Sequence, residues 1–152
     1  MKALIAAIVF CWIPLTARAA PVRLVDEAPV KIERLQGGVV WVDFGRVAFG
    51  NVRLLPPSGA KGEVTVHFGE ASVKGRIDRK PPGSVRHAVA RVSLTGSGPV
   101  IAAPPADKRN TQQPAAVLTP PEWGVVLPFR WLEIEGWNGD FRPEHVRRRA
   151  AF

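Results

Sequence analysis

The sequence predicts an all-β domain, a β-sandwich or jelly roll. Short runs in which apolar and polar residues alternate have the pattern of strands with one buried face. Gly and Pro, 14 and 15 residues in a chain of 152, fall between those runs as punctuation rather than as a repeat. No stretch keeps a 3.6-residue apolar period over a helical length. Hydrophobic content of 46% and charged content of 22% are globular values, and the length allows one domain with one sizeable core.

Residues 1–19 read as a signal peptide. Lys2 supplies the positive start, Ala3 to Leu15 an apolar run too short to span a bilayer comfortably, and Ala17-Arg18-Ala19 a small-x-small cleavage site. An uncleaved anchor is the alternative. Cleavage would remove Cys11, the only cysteine, so the mature chain is expected to have no disulfide and no thiol chemistry. Lys2 and Arg18 would leave too, which takes the net charge from +8 to +6. These features predict a secreted protein, periplasmic or extracellular in a bacterium, with no membrane span in the mature chain. The export signal and the scattered positive charges argue against nucleic acid as a partner, although Arg147-Arg148-Arg149 form a local cluster.

Residues 20–38 read as a lead-in segment with a short edge strand around Val30 and Ile32, closed by Gln36-Gly37-Gly38. The domain proper is expected over 39–152. Val40, Val42 and Phe44 alternate with Trp41 and Asp43; Gly45 is expected to break that strand, and extended structure resumes from Val47 to Leu55. Glu63 to Phe68 is the cleanest strand, with Val64, Val66 and Phe68 inward and His67 outward. Residues 69–84 form a long polar loop, a length that tends to carry function. Strands follow at 85–94 and 100–103, then an irregular loop at 104–114 and a short strand at 115–118. Leu127 to Glu135 is the most informative strand. Leu132 and Ile134 point to a core, while Trp131, Glu133 and Glu135 share the opposite face. A last extended segment covers 144–150.

Three stretches taken together carry a resemblance. They are Asp43-Phe44-Gly45-Arg46-Val47-Ala48-Phe49-Gly50; Gly69-Glu70 with Gly75 to Arg86; and Asp107-Lys108-Arg109-Asn110-Thr111 followed by Leu127 to Glu135. In this order and spacing they resemble the accessory β-sandwich, galactose-binding-like in type, that precedes the catalytic domain of bacterial α-L-rhamnosidase-like glycoside hydrolases of the family 78 type. The resemblance covers residues 39–152. It implies hydrolysis of O-glycosyl bonds by carboxylates on a separate (α/α)6 barrel, onto which no residue of this chain can be carried. The expectation is a truncated member or a freestanding accessory module, inactive alone, that supports a catalytic domain or holds a rhamnose-containing glycan. A basic periplasmic structural or interaction protein is the third reading.

The residues themselves leave few sites. Glu133 and Glu135 would lie about 7 Å apart on one strand face, inside the range used by inverting glycosidases. Side by side on one strand, however, they do not flank a bond, and a solvated or Arg-paired face is the favoured reading, with Arg46, Arg79 and Arg130 as candidate partners. Trp41 and Trp131 can stack on a sugar ring or pack against protein, and packing or domain contact is favoured. Asp78 and Arg79, in the long loop, form either a ligand or docking element or an internal bridge. His67, His87 and His145 are isolated in sequence, so no metal site is expected, and no cofactor motif is present.

Overall fold

The computed structural model describes residues 22–112, 117 and 119–152. The expected signal peptide and most of the strand expected at 115–118 lie outside the described residues.

Among the described residues ten strands carry the fold. They are β1 (Leu24–Glu27), β2 (Lys31–Arg34), β3 (Val40–Leu54), β4 (Lys61–Gly69), β5 (Ser72–Val73), β6 (Arg76–Ile77), β7 (His87–Thr95), β8 (Val100–Ala102), β9 (Leu127–Glu135) and β10 (Val146–Ala151). One helical turn, α1, spans Lys108–Thr111. The main sheet runs β1-β10-β3-β9-β4-β7, with β2 and β8 added to β3, and β5-β6 form a separate small hairpin. Every pairing is antiparallel.

β3 organises the sheet. Val40 to Asp43 pair with β2 and β9; Gly50 to Leu54 pair with β10, and Val52 to Leu54 with β8. Between these halves the register against β9 slips between Asp43 and Ala48. Gly45, with φ +78°, sits in this irregularity, and its N–H donates to the Asp43 carboxylate at 2.6 Å. Gly45 therefore bends the strand rather than ending it. An irregularity of this kind increases local twist and lets one strand serve both parts of a curled sheet.

The predicted alternation places the core. Val40, Val42 and Phe44 meet Val64, Val66 and Phe68 and Leu132 and Ile134, all buried. The Phe129 ring stands edge-on to Phe44 and Phe68 at 5.9 and 5.3 Å between centroids. Each such side chain contributes on the order of 1.5–3 kcal/mol through burial. Trp137 closes one end of this core, edge-on to Phe141 at 4.8 Å.

The residues read as a lead-in supply two strands of the same sheet. β2 is the short strand expected there and pairs with β3, and β1, with no strand pattern in the sequence, pairs with β10 from Leu24↔Ala151 to Glu27↔Arg148. The basic cluster is also split by this geometry. Arg147 and Arg149 lie partly exposed on β10, while Arg148 points inward and is fully buried. Its Nε and one terminal nitrogen donate to a Glu27 carboxylate oxygen at 2.7 and 2.5 Å. The other terminal nitrogen donates to the backbone carbonyls of Arg46 and Phe129 at 2.8 and 3.0 Å. The guanidinium also lies over the Phe44 ring at 4.9 Å.

Candidate functional site

The face opposite the core gathers the residues singled out in sequence. Register fixes this. Glu133 on β9 is the direct partner of Trp41 on β3 and of His67 on β4. Directly opposite residues on neighbouring strands project to the same side, so Trp41, His67 and Glu133 form a row across the sheet, with Trp131 and Glu135 two residues along β9.

This face is not left to solvent. The long loop after β4 folds back as the β5-β6 hairpin, and Ile77 inserts against the sheet. Gly69 permits that approach, because a Cβ there would stand 2.6 Å from the Ile77 side chain. Beneath the loop Glu133 is fully buried. Arg76 clasps its carboxylate through Nε and a terminal nitrogen, both at 2.8 Å, and the Ile77 N–H donates at 2.8 Å. Arg79 donates to the second oxygen at 2.5 Å and reaches Glu135 at 3.5 Å. Burial alone would raise the Glu133 pKa. The hydrogen bonds from Arg76 and Ile77 and the nearby guanidinium charges outweigh it and hold the carboxyl at about 2.

The histidines are not isolated in space. His67 and His87, on neighbouring strands, stack nearly parallel at 5.6 Å between ring centroids, with His67 Nδ1 and His87 Nε2 3.3 Å apart. Arg79 donates to His67 Nδ1, and His67 Nε2 lies 3.2 Å from Glu135. These partners require a neutral His67 carrying its proton on Nε2. Burial, then the Arg79 charge, lowers the pKa of both rings below the ordinary imidazole value. Among the described residues no group of three or more His, Cys, Asp or Glu is arranged to hold a metal ion.

The other candidates separate from this cluster or change role. Arg79, not Arg46 or Arg130, is the partner of the glutamates; Arg46 pairs with Glu27, and Arg130 clasps Asp43 at 2.8 and 2.9 Å. Asp78 makes no bridge to Arg79; its carboxylate accepts the Lys80 N–H at 2.9 Å, so Glu133 anchors the loop instead. Trp41 is only 7% exposed and packs against Trp131 at 6.2 Å, which removes it as an open stacking platform. Trp131 is half-buried beneath the Arg130 guanidinium, 4.8 Å from its ring. Sequence reasoning missed Arg76, and it missed the pairing of His67 with His87. The outward position of His67 on β4 is the signal in the chain that pointed to the histidine pair.

Beside the cluster lies a cleft of about 540 Å³ between the Arg79–Val89 segment and the loop Pro105–Arg109. Arg86 lines it, and Asn110 holds the Arg86 side chain. The Arg86 side chain donates to the Asn110 carbonyl oxygen at 2.8 Å, and the Asn110 amide, buried, donates to the Val126 carbonyl. Asp107 caps α1 by accepting the Arg109 N–H at 2.9 Å and holds the Arg109 guanidinium at 2.5 Å. That guanidinium pulls the Asp107 carboxyl well below the usual carboxylate range.

Known proteins match this architecture. The α-L-rhamnosidase of Aspergillus terreus aligns with a TM-score of 0.60 at 16% identity over 86% of this chain and 13% of its own. The Streptomyces avermitilis α-L-rhamnosidase complexed with L-rhamnose aligns with a TM-score of 0.61 at 23% identity over 86% of this chain and 11% of its own. At these identities the likeness concerns the fold, and the chain spans only about an eighth of the length of these enzymes. No curated protein sequence matches. The family described as the bacterial α-L-rhamnosidase concanavalin-like domain matches residues 33–152, from β2 to the end of the chain. With a curled antiparallel sheet and a match over most of its length, the chain belongs to the bacterial α-L-rhamnosidase concanavalin-like domain family.

Proposed function

We propose that this is a non-catalytic domain of an α-L-rhamnosidase-type glycoside hydrolase, one that supports a catalytic domain, and that it works outside the cytoplasm after export. The state of Glu133 carries this reading. A glycosidic general acid needs a raised pKa and access to the bond it protonates. Glu133 has neither, being fully buried and held near 2 by Arg76, Arg79 and the Ile77 N–H. Its carboxylate fastens a loop to a sheet face instead. The first test is turnover. The purified chain is expected to release no chromophore from an aryl α-L-rhamnoside, and release above a heat-denatured control would overturn the reading. Export is tested by N-terminal sequencing of the protein recovered from the periplasm or medium, which should begin at Ala20.

The cleft favours a second reading, that of a carbohydrate-binding module. Its volume of about 540 Å³ falls within the roughly 300–1,000 Å³ of small-ligand sites. Heat of binding with rhamnose-containing oligosaccharides by isothermal titration would support it.

A further inference from the structure

We propose that this cleft binds an anionic saccharide residue, with Arg86 as the group that takes its carboxylate. The inference rests on the carbohydrate-related reading of the family and goes beyond it in naming a site and a ligand charge.

Arg79, Arg86, Arg109 and Asp107 line the cleft. Arg79 is matched within the group it forms with Arg76, Glu133 and Glu135, and Arg109 by Asp107. Arg86 is different. Its side chain has one neutral partner, the Asn110 carbonyl oxygen, and among the described residues it forms no ion pair. Glu70 stands near, but its carboxylate takes the Arg86 backbone N–H at 2.9 Å and makes no ion pair with the Arg86 guanidinium. Of the three arginines lining the cleft, Arg86 is thus the one without a direct carboxylate partner among the described residues.

Arg86 is also held in place. Asn110 is 3% exposed, lies between the Arg86 guanidinium and the Val126 carbonyl, and has both ends of its amide used. A guanidinium oriented by a buried amide is pre-organised, so little freedom is lost when its remaining donors take a carboxylate. The walls supply the rest. Pro81, Val85, Val89, Pro105 and Leu127 present apolar surface, and His87 adds a ring. Apolar surface beside a fixed cation that lacks a carboxylate partner suits a ring with an apolar face and a charged substituent. A bare inorganic anion needs neither the walls nor the volume.

Isothermal titration of the full chain at neutral pH and low salt tests this. The probes are digalacturonate, its carboxyl-reduced neutral counterpart and inorganic phosphate. Digalacturonate is expected to bind, with the neutral counterpart about tenfold weaker or more, the size of one charge-assisted contact. Arg86→Gln should erase that difference. Val89→Glu places a negative charge on the wall at a residue 37% exposed. It should weaken digalacturonate binding without lowering the melting temperature, and it decides the matter if Arg86→Gln does not fold. Absence of binding by the unaltered chain, equal affinity for the neutral sugar, or digalacturonate binding that survives Val89→Glu would overturn the proposal. Phosphate binding as tight as digalacturonate would overturn the saccharide assignment. Each of these results leaves the non-catalytic reading standing, because only rhamnoside turnover bears on that.

Discussion

At the residue scale, Glu133 is the point of greatest consequence. Glu133→Gln keeps the shape but removes the charge that Arg76 and Arg79 were arranged to meet. Hydrogen bonds to charged groups contribute about 1.5–3 kcal/mol each, so the substitution should cost on the order of 2–3 kcal/mol in urea unfolding, given that both arginines can turn to solvent. Its pH signature is separable from that of the histidines. Glu133 has a folded pKa of about 2 against 4.5. Its contribution is therefore complete above about 4.5 and is lost as pH falls toward 2. His67 and His87 are lowered from 6.5, so their contribution is complete above about 6.5 and begins to fall below it. The melting temperature should be level above neutrality and decline in two stages in acid, with the lower stage reduced in Glu133→Gln. The sequence put Glu133 on the correct face, because Leu132 and Ile134 fix the alternation. It could not show that the face is covered, since burial there depends on a loop packing from 56 residues away.

At the element scale, the same contrast separates β4 and β9 from β1. Val64-Val66-Phe68 and Leu132-Ile134 announce their strands through period two. In β1 the residue paired with β10 at its inner end is Glu27, which as a charged residue reads as solvent-facing. Only its partner Arg148, itself hidden inside a run of three arginines, makes its position intelligible. Breaking a buried pair from one side costs about 3–5 kcal/mol, because it strands a charge. Glu27→Gln should therefore destabilise strongly, and Glu27→Gln with Arg148→Met should recover most of the loss, as measured by denaturant midpoints. The β5-β6 hairpin depends on a different contact. Gly69→Ala would drive a methyl group into Ile77. It should cost about 1–3 kcal/mol and, by lifting the loop, raise amide exchange at Ile77 in particular.

At the scale of the whole molecule, the sheet is built from distant parts of the chain. β1 pairs with β10, and β3 collects β2, β8, β9 and β10. Such non-local pairing makes folding slow, in the range of milliseconds to seconds for a domain of this kind; a stopped-flow refolding trace dominated by a sub-millisecond phase would contradict that topology. The all-β architecture was legible because turn residues and alternation are local signals. The bend at Gly45, which sends β3 from one set of partners to the next, was not, because a glycine within an apolar run marks an interruption without saying whether the strand stops or turns.

Arg23 and Phe152 exchange two backbone hydrogen bonds of 2.9 Å, so the described chain arrives and departs at one spot. In geometric terms the domain is a closed ring with a nick. A polypeptide can carry such a ring as a side pendant, with the segments before and after it held at a nearly constant spacing. The nick should also be movable. A permutant with the ends joined by a short Gly-Ser linker and reopened in the turn at Ser58–Gly59 should melt cooperatively within a few degrees of the parent, as judged by circular dichroism.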